Sequence, residues 1–268
     1  MYTYISWVND HSKTDQEAIH KIKEQLAASE INGKHIEAHD FKSAKQAAAA
    51  AIEQGAKTIV AIGQANCFNA LIDSVAAHDQ DNCAVGFIPL SSQATSTTNL
   101  LGIKGWKDGL AILAARKLHD FTLLGTKNGY ILSELRLTIQ QSGDKATPIE
   151  CTFDDKLTLR AICHELKITN LENQSQPHPK RISIEALAPG TYEAPVQTKE
   201  SFINLPHLLK GRAKDDRVLF RLLADEVKID PKDNRFNEYE LTNQTSPILH
   251  IGHDTATVRV IVKKHRDQ

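Results

Sequence analysis

The chain has 268 residues, 41% of them hydrophobic and 24% charged, with 32 Lys and Arg balanced by 33 Asp and Glu for a net charge of -1. That balance gives no electrostatic basis for nucleic acid as a partner, and the apolar content excludes a disordered chain. No stretch nears the ~20 apolar residues of a membrane span, and the first residues lack a basic leader, so the sequence predicts a cytoplasmic protein without a transmembrane segment. The length suits two domains of about 130 residues each.

Tyr4–Val8 reads as a first strand and Asn9–Lys13 as the loop after it. Ala18, Ile19, Ile22 and Leu26 recur at helical spacing, and Gly33 breaks the pattern before a short strand at His35–Ala38. A second helix, Ser43–Gln54, contains five consecutive alanines and ends at Gly55. Lys57–Gly63 is a β-branched apolar run that stops at a small-residue turn, after which Leu71, Ile72 and Val75 mark another helix. Cys83–Pro89 is a further buried strand, Ser91–Thr98 a polar loop and Trp106–Lys117 a helix. Strands that alternate with helices through short connections predict a doubly wound parallel sheet of Rossmann-like type.

Beyond Phe121 the pattern changes to short β-runs at Tyr130–Ile139, Ile149–Phe153, Leu157–Ile162, Arg181–Leu187, Val227–Ile229 and Thr257–Val262. This half predicts an antiparallel β-sandwich. The boundary is placed near Gly125, giving an α/β domain at 1–125 and a sandwich at 126–268, with Asn170–Lys180 as a flexible loop inside the latter. Asp154-Asp155 reads as a hairpin turn, and Cys67, Cys83, Cys151 and Cys163, without C-x-x-C spacing, as buried free thiols. His250-x-x-His253-Asp254 has metal-compatible residue types, but on a strand the two histidines converge only if Gly252 turns the chain. No metal site is expected. Lys210–Lys214 with Arg217 reads as a solvated turn interrupted by Asp215 and Asp216.

The order of these elements, with the Val60-Ala-Ile-Gly63 turn, the Gly86-Phe-Ile-Pro-Leu90 strand, Leu101-Gly-Ile103 and then Leu208-Leu-Lys-Gly211, Val218, Val227-Lys-Ile229, Ser246-Pro-Ile248 and Thr257–Ile261, resembles the catalytic domain of bacterial diacylglycerol kinases and related lipid kinases, distant kin of the NAD kinases. The resemblance covers nearly the whole chain. It implies a nucleotide site at Asn9, at Gly63, Gln64, Ala65 and Asn66, and at Ser91, Ser92 and Gln93, with the base position at Thr242, Asn243 and Gln244. Three departures stand at these places. The family's Gly-Gly-Asp-Gly-Thr turn is here Ile62-Gly-Gln-Ala-Asn66, its Pro-Leu-Gly-Thr-Gly-Asn-Asp loop is Pro89-Leu-Ser-Ser-Gln-Ala-Thr95, and its Asp-Gly-Glu is Thr242-Asn-Gln244. Each has lost its carboxylate, and phosphoryl transfer needs carboxylates to hold Mg²⁺ and a base to take the hydroxyl proton.

The expectation is therefore a degenerate member, a pseudoenzyme with no catalytic residues and no cofactor that binds a small molecule, a lipid or a partner. The alternative is an active ATP-dependent lipid kinase that uses ATP and Mg²⁺ with carboxylates such as Asp225, Glu226, Asp230 or Asp254. Because proteins of this family often dimerise, the resemblance also implies a homodimer.

Overall fold

The computed structural model describes residues 2–7, 13–78, 83–90, 95–126, 129–140, 148–173, 180–187, 197–199, 218–232, 235–238 and 248–263. The chain forms two units, Met1–Leu123 with Ala256–Gln268, and Leu124–Thr255.

In the first unit strands β1 (Tyr2–Trp7), β2 (Gly33–Ala38), β3 (Thr58–Gly63) and β4 (Ala84–Pro89) alternate with helices α1 (Lys13–Ala28), α2 (Phe41–Glu53) and α3 (Ala65–Ala77), followed by α4 (Ser96–Leu101) and α5 (Trp106–Ala115). The strands pair in the order β2-β1-β3-β4, every pair parallel. Helices α2 and α3 pack together on one face of this sheet, and α1 meets α5. Right-handed crossovers from this strand order place α1 on the face opposite α2 and α3, which is the doubly wound arrangement. All six residues of both β3 and β4 are buried, because a central parallel strand is covered on both faces. The edge strand β2 instead exposes Lys34, His35 and Glu37.

Helix α2 begins at a capping box in which the Asp40 carboxylate accepts from the Ser43 N–H at 2.6 Å and the Ser43 hydroxyl accepts from the Asp40 N–H at 3.1 Å. Its buried residues Ala44, Ala48, Ala51 and Ile52 line one face. The small side chains let α3 approach closely, and Lys45 of α2 reaches the Asp73 carboxylate of α3 at 2.7 Å. Asp73 is only 2% exposed, so this ion pair is the polar seam between two apolar helix faces.

In the second unit the strands are antiparallel, and the sandwich expected from the short β-runs is present. Strands β8 (Ile149–Phe153), β9 (Leu157–Ala161), β12 (Gln197–Lys199), β14 (Val227–Asp230) and the start of β16 (Leu249–Ile261) pair in the order β12-β9-β8-β14-β16. A second sheet, β13-β11-β10-β7-β15, contains β7 (Glu134–Gln140), β10 (Glu165–Asn170), β11 (Ile182–Leu187), β13 (Val218–Ala224) and β15 (Arg235–Glu238). Cys151 and Phe153 from the first sheet and Leu137, Ile168, Ile184 and Phe220 from the second share one apolar core. Positive φ at both Asp154 and Asp155 makes the β8–β9 connection a primed hairpin turn. All four cysteines are buried free thiols.

Several elements differ from the sequence pattern. Thr95 and Thr98 form a capping box, so the end of the polar run at Ser91–Thr98 belongs to α4. The run Tyr130–Ile139 is two strands, β6 (Gly129–Ile131), which pairs with β5 (Leu118–Thr126), and β7. The break between them is held by asparagines: Asn170 bonds the carbonyls of Ile131 (side chain, 3.2 Å) and Ser133 (N–H, 2.8 Å), and the Asn173 side chain bonds that of Leu132 at 2.9 Å. Asn170–Asn173, read as the start of a loop, is thus anchored; positions 174–179 lie outside the described residues. Strand β16 starts eight residues before the expected Thr257, and residues 256–268 group with the first unit instead of the sandwich. There Arg259 and Val260 pair in parallel with Ala84 and Val85, burying Val258, Val260 and Ile261.

Candidate functional site

In the first unit the strand order reverses between β1 and β3, and the carboxyl ends of strands at such a switch point form the crevice where open α/β sheets take ligands. Trp7, the last residue of β1, pairs with Gly63, the last of β3, which pairs in turn with Pro89, the last of β4. Gly63 has φ +153, and a Cβ added there would lie 2.5 Å from the Trp7 carbonyl oxygen. Its own carbonyl accepts the Leu90 N–H at 3.1 Å. The glycine is therefore required by the close approach of β1 to the end of β3, independently of any ligand.

The chain turns from Gly63 directly into α3. Gln64 is the N-cap residue, extended at φ -86 and ψ 170, exposed, and without a side-chain capping bond. Ala65 and Asn66 follow half-buried in the first turn, which contains no acidic residue. The aligned peptide dipoles put a partial positive charge at this end of the helix. Behind the turn the Cys67 thiol donates to the Ile5 carbonyl at 3.5 Å, and burial pushes its pKa up to about 12. A thiol held so far from ionisation is a packing element and not a nucleophile. Ile62, at the first position of the glycine turn in the resemblance, is fully buried within β3.

Of the positions implied by sequence, Gly63, Gln64, Ala65 and Asn66 thus stand together on the crest at the switch point. Asn9, Ser91, Ser92, Gln93, Thr242, Asn243 and Gln244 lie outside the described residues, as do Lys210–Lys214 and Arg217.

Two of the carboxylates considered as replacements in an active enzyme are committed to lysines. Lys180 reaches Asp225 at 2.6 Å and Asp154 at 2.8 Å, while the second Asp154 oxygen accepts the N–H groups of Asp225 and Glu226 at 2.8 and 3.0 Å. Burial opposes ionisation of Asp154, yet the Lys180 ammonium and these N–H groups outweigh it and hold the carboxyl below its usual range. Lys180 is correspondingly shifted up by its hydrogen bonds to Asp154 and Asp225. Arg181 donates from one guanidinium nitrogen to the carbonyls of Asp225 and Gly252 at 3.1 and 2.9 Å. Asp230 is paired with Lys232 at 2.5 Å. Asp254 lies within the bounds of β16, Leu249–Ile261, in which Gly252 has φ +91. Among the described residues no group of three or more His, Cys, Asp or Glu is arranged to hold a metal ion.

Sequence reasoning missed the Lys45–Asp73 pair and the Asn170 anchor. A signal for the first was present, since Asp73 interrupts the apolar run Ala70–Ala77 and Lys45 stands next to the alanine-rich face.

The fold was compared with solved structures. Three that it resembles are named as diacylglycerol kinases from Bacillus anthracis str. Sterne, with TM-scores of 0.63, 0.63 and 0.62, each covering 98% of this chain and 97% of theirs. The chain has the diacylglycerol kinase fold. Sequence identity to these kinases is only 10, 10 and 9%. No protein-family model matches the sequence, and no curated protein is similar to it. The same fold thus forms over almost the full length with about a tenth of the residues in common, as expected when burial pattern and topology, and not residue identity, specify the packing.

Proposed function

We propose that this protein is a non-catalytic member of the diacylglycerol kinase fold, a cytoplasmic protein that acts by binding a small molecule, a lipid or a partner and that requires neither ATP nor Mg²⁺. The observation that carries this reading is the neutral crest at the switch point: Gly63, Gln64, Ala65 and Asn66 bring no carboxylate, and the first turn of α3 has no acidic residue. Phosphoryl transfer relies on carboxylate-held Mg²⁺ and on a base that orients the attacking hydroxyl. The residues at the other two implied positions, Ser91–Gln93 and Thr242–Gln244, are neutral as well. Loss of both parts costs many powers of ten in rate, since general acid–base catalysis alone contributes roughly 10²–10⁴-fold. Asp225 and Asp230, each in contact with a lysine ammonium, are poorly placed to take over the metal. The described residues contain no helix long and apolar enough to cross a membrane, which fits the cytoplasmic placement.

The test is transfer of the γ-phosphate of labelled ATP to diacylglycerol vesicles in the presence of Mg²⁺. The expected result is no product above a protein-free control. Turnover that is abolished by Asp225→Asn or Asp230→Asn would establish the active kinase instead. Calorimetry gives a second readout: ATP at low millimolar concentration should produce no binding heat, with Mg²⁺ making no difference. A micromolar affinity that tightens on adding Mg²⁺ would overturn the reading.

A further inference from the structure

A cavity of about 250 Å³ lies on the α1 side of the sheet, where the helix passes over the carboxyl ends of β1 and β2. Its floor is mostly apolar, formed by Ile19 and Ala38, both at least nine-tenths buried. Ser6, 4% exposed, also lines it; its hydroxyl donates only a long bond, 3.4 Å, to the Ile36 carbonyl and keeps its own oxygen able to accept. The rim carries both signs of charge, and His20 and His39 line the cavity with them. Lys23 of α1 and Glu37 of β2 face each other with 3.6 Å between nitrogen and oxygen. Side-chain exposures of 36% and 71% make this a weak pair that a ligand can replace at little cost.

We propose that this cavity binds a small aliphatic zwitterion of the α-amino acid class. A ligand anion at the rim would meet the Glu37 carboxylate, and a ligand cation the Lys23 ammonium, so a singly charged ligand leaves one rim charge opposed. A ligand bearing an ammonium and a carboxylate on one carbon satisfies Glu37 with the first and Lys23 with the second, in charge-assisted hydrogen bonds on both sides. An aliphatic side chain then covers Ile19 and Ala38, and Ser6 accepts a remaining ammonium hydrogen. The volume is below the ~300–1,000 Å³ of pockets for drug-sized ligands, which suits a molecule of this size. The lining includes none of Gly63, Gln64, Ala65 or Asn66, and leucine binding is measured separately from ATP binding.

The test uses the full chain and L-leucine, followed by calorimetry or protein-observed NMR, with 4-methylpentanoate (no ammonium) and leucinamide (no carboxylate) as comparisons. Leucine should bind, and each analogue should bind about two- to fivefold more weakly, because each forgoes the contact with one exposed rim charge. Glu37→Gln should erase the preference over 4-methylpentanoate, and Lys23→Gln the preference over leucinamide. Gln16→Trp, at an exposed position of α1 that lines the cavity, should block leucine while leaving the circular dichroism spectrum unchanged. No leucine binding at tens of millimolar, equal affinity for all three compounds, or undiminished binding to the Gln16→Trp protein would each overturn the proposal. So would capture by phosphatidylethanolamine vesicles without binding of free leucine, which would assign the rim to a lipid headgroup.

Discussion

Gly63→Ala separates the structural demand for this glycine from any ligand role. The new Cβ would lie 2.5 Å from the Trp7 carbonyl oxygen and must retreat by about half an ångström to reach the 3.0 Å that real Cβ contacts keep. The obstacle is backbone, in a strand paired to β3 along its length, so relief requires moving β1 against β3 and loosening their ladder. A non-glycine residue at φ +153 adds conformational strain of order 1–3 kcal/mol, and overpacking a tight site costs about 1–3 kcal/mol more. With partial relaxation the sum is about 2–4 kcal/mol. Gly55→Ala is the control: its φ is +82 but a Cβ there meets nothing within 4 Å, so only the left-handed backbone cost of about 1 kcal/mol applies. Both of the chain's tryptophans, Trp7 and Trp106, lie in the first unit, so urea unfolding followed by tryptophan fluorescence reports that unit. For a slope of about 2 kcal/mol/M the Gly63 variant should lose roughly 1–2 M in midpoint and the Gly55 variant about 0.5 M. Equal losses for the two would refute the close-approach argument and return the glycine to a ligand-binding explanation.

Three other outcomes are expected. Asp154→Asn should destabilise by about 1–3 kcal/mol near neutral pH through weakened bonds to Lys180 and to the N–H groups of Asp225 and Glu226. Because the folded-state pKa of Asp154 is depressed below 3.8, its contribution is complete above about pH 4 and fades as pH falls through the folded value; unfolding measured from pH 7 to 2 should show a shallower acid limb in the variant. The four buried thiols, with Cys83 raised to about 11 and Cys67 and Cys163 to about 12 by burial, should resist a disulfide reagent in the native protein at pH 8 and titrate fully in guanidinium; a rapidly reacting thiol would show that one of these sites opens. Thr95→Ala removes the hydroxyl that caps α4 at 3.1 Å from the Thr98 N–H and should cost about 1 kcal/mol of stability, measured by the same urea titration.

What the sequence by itself determined is what local pattern and composition encode. The alternation of apolar runs with amphipathic helices located β1 to β4, α2 and α5 within two residues and marked α1 and α3 by their apolar positions, because a parallel strand buried on both faces must be apolar throughout and its crossover helix must be amphipathic. The Asp154-Asp155 turn and the buried cysteines were legible for the same local reasons. The order of motifs carried the fold resemblance, and the neutral residues at the three positions it implies are legible without coordinates. Tertiary structure alone decided where distant residues meet. The break at Leu132–Ser133 depends on asparagines nearly forty positions later, and the strand Glu165–Asn170, with Glu and Lys among its residues, reads as a strand only when its partners on both sides are known. The return of residues 256–261 to the first unit likewise depends on a long-range pairing with β4 that no local periodicity records. The same holds for the crest itself: the sequence shows one glycine in the turn, but only the 2.5 Å approach to Trp7 explains why a glycine is required there. Local propensities are written residue by residue along the chain, whereas close approaches and ion pairs are properties of surfaces that come into being only when the chain has folded.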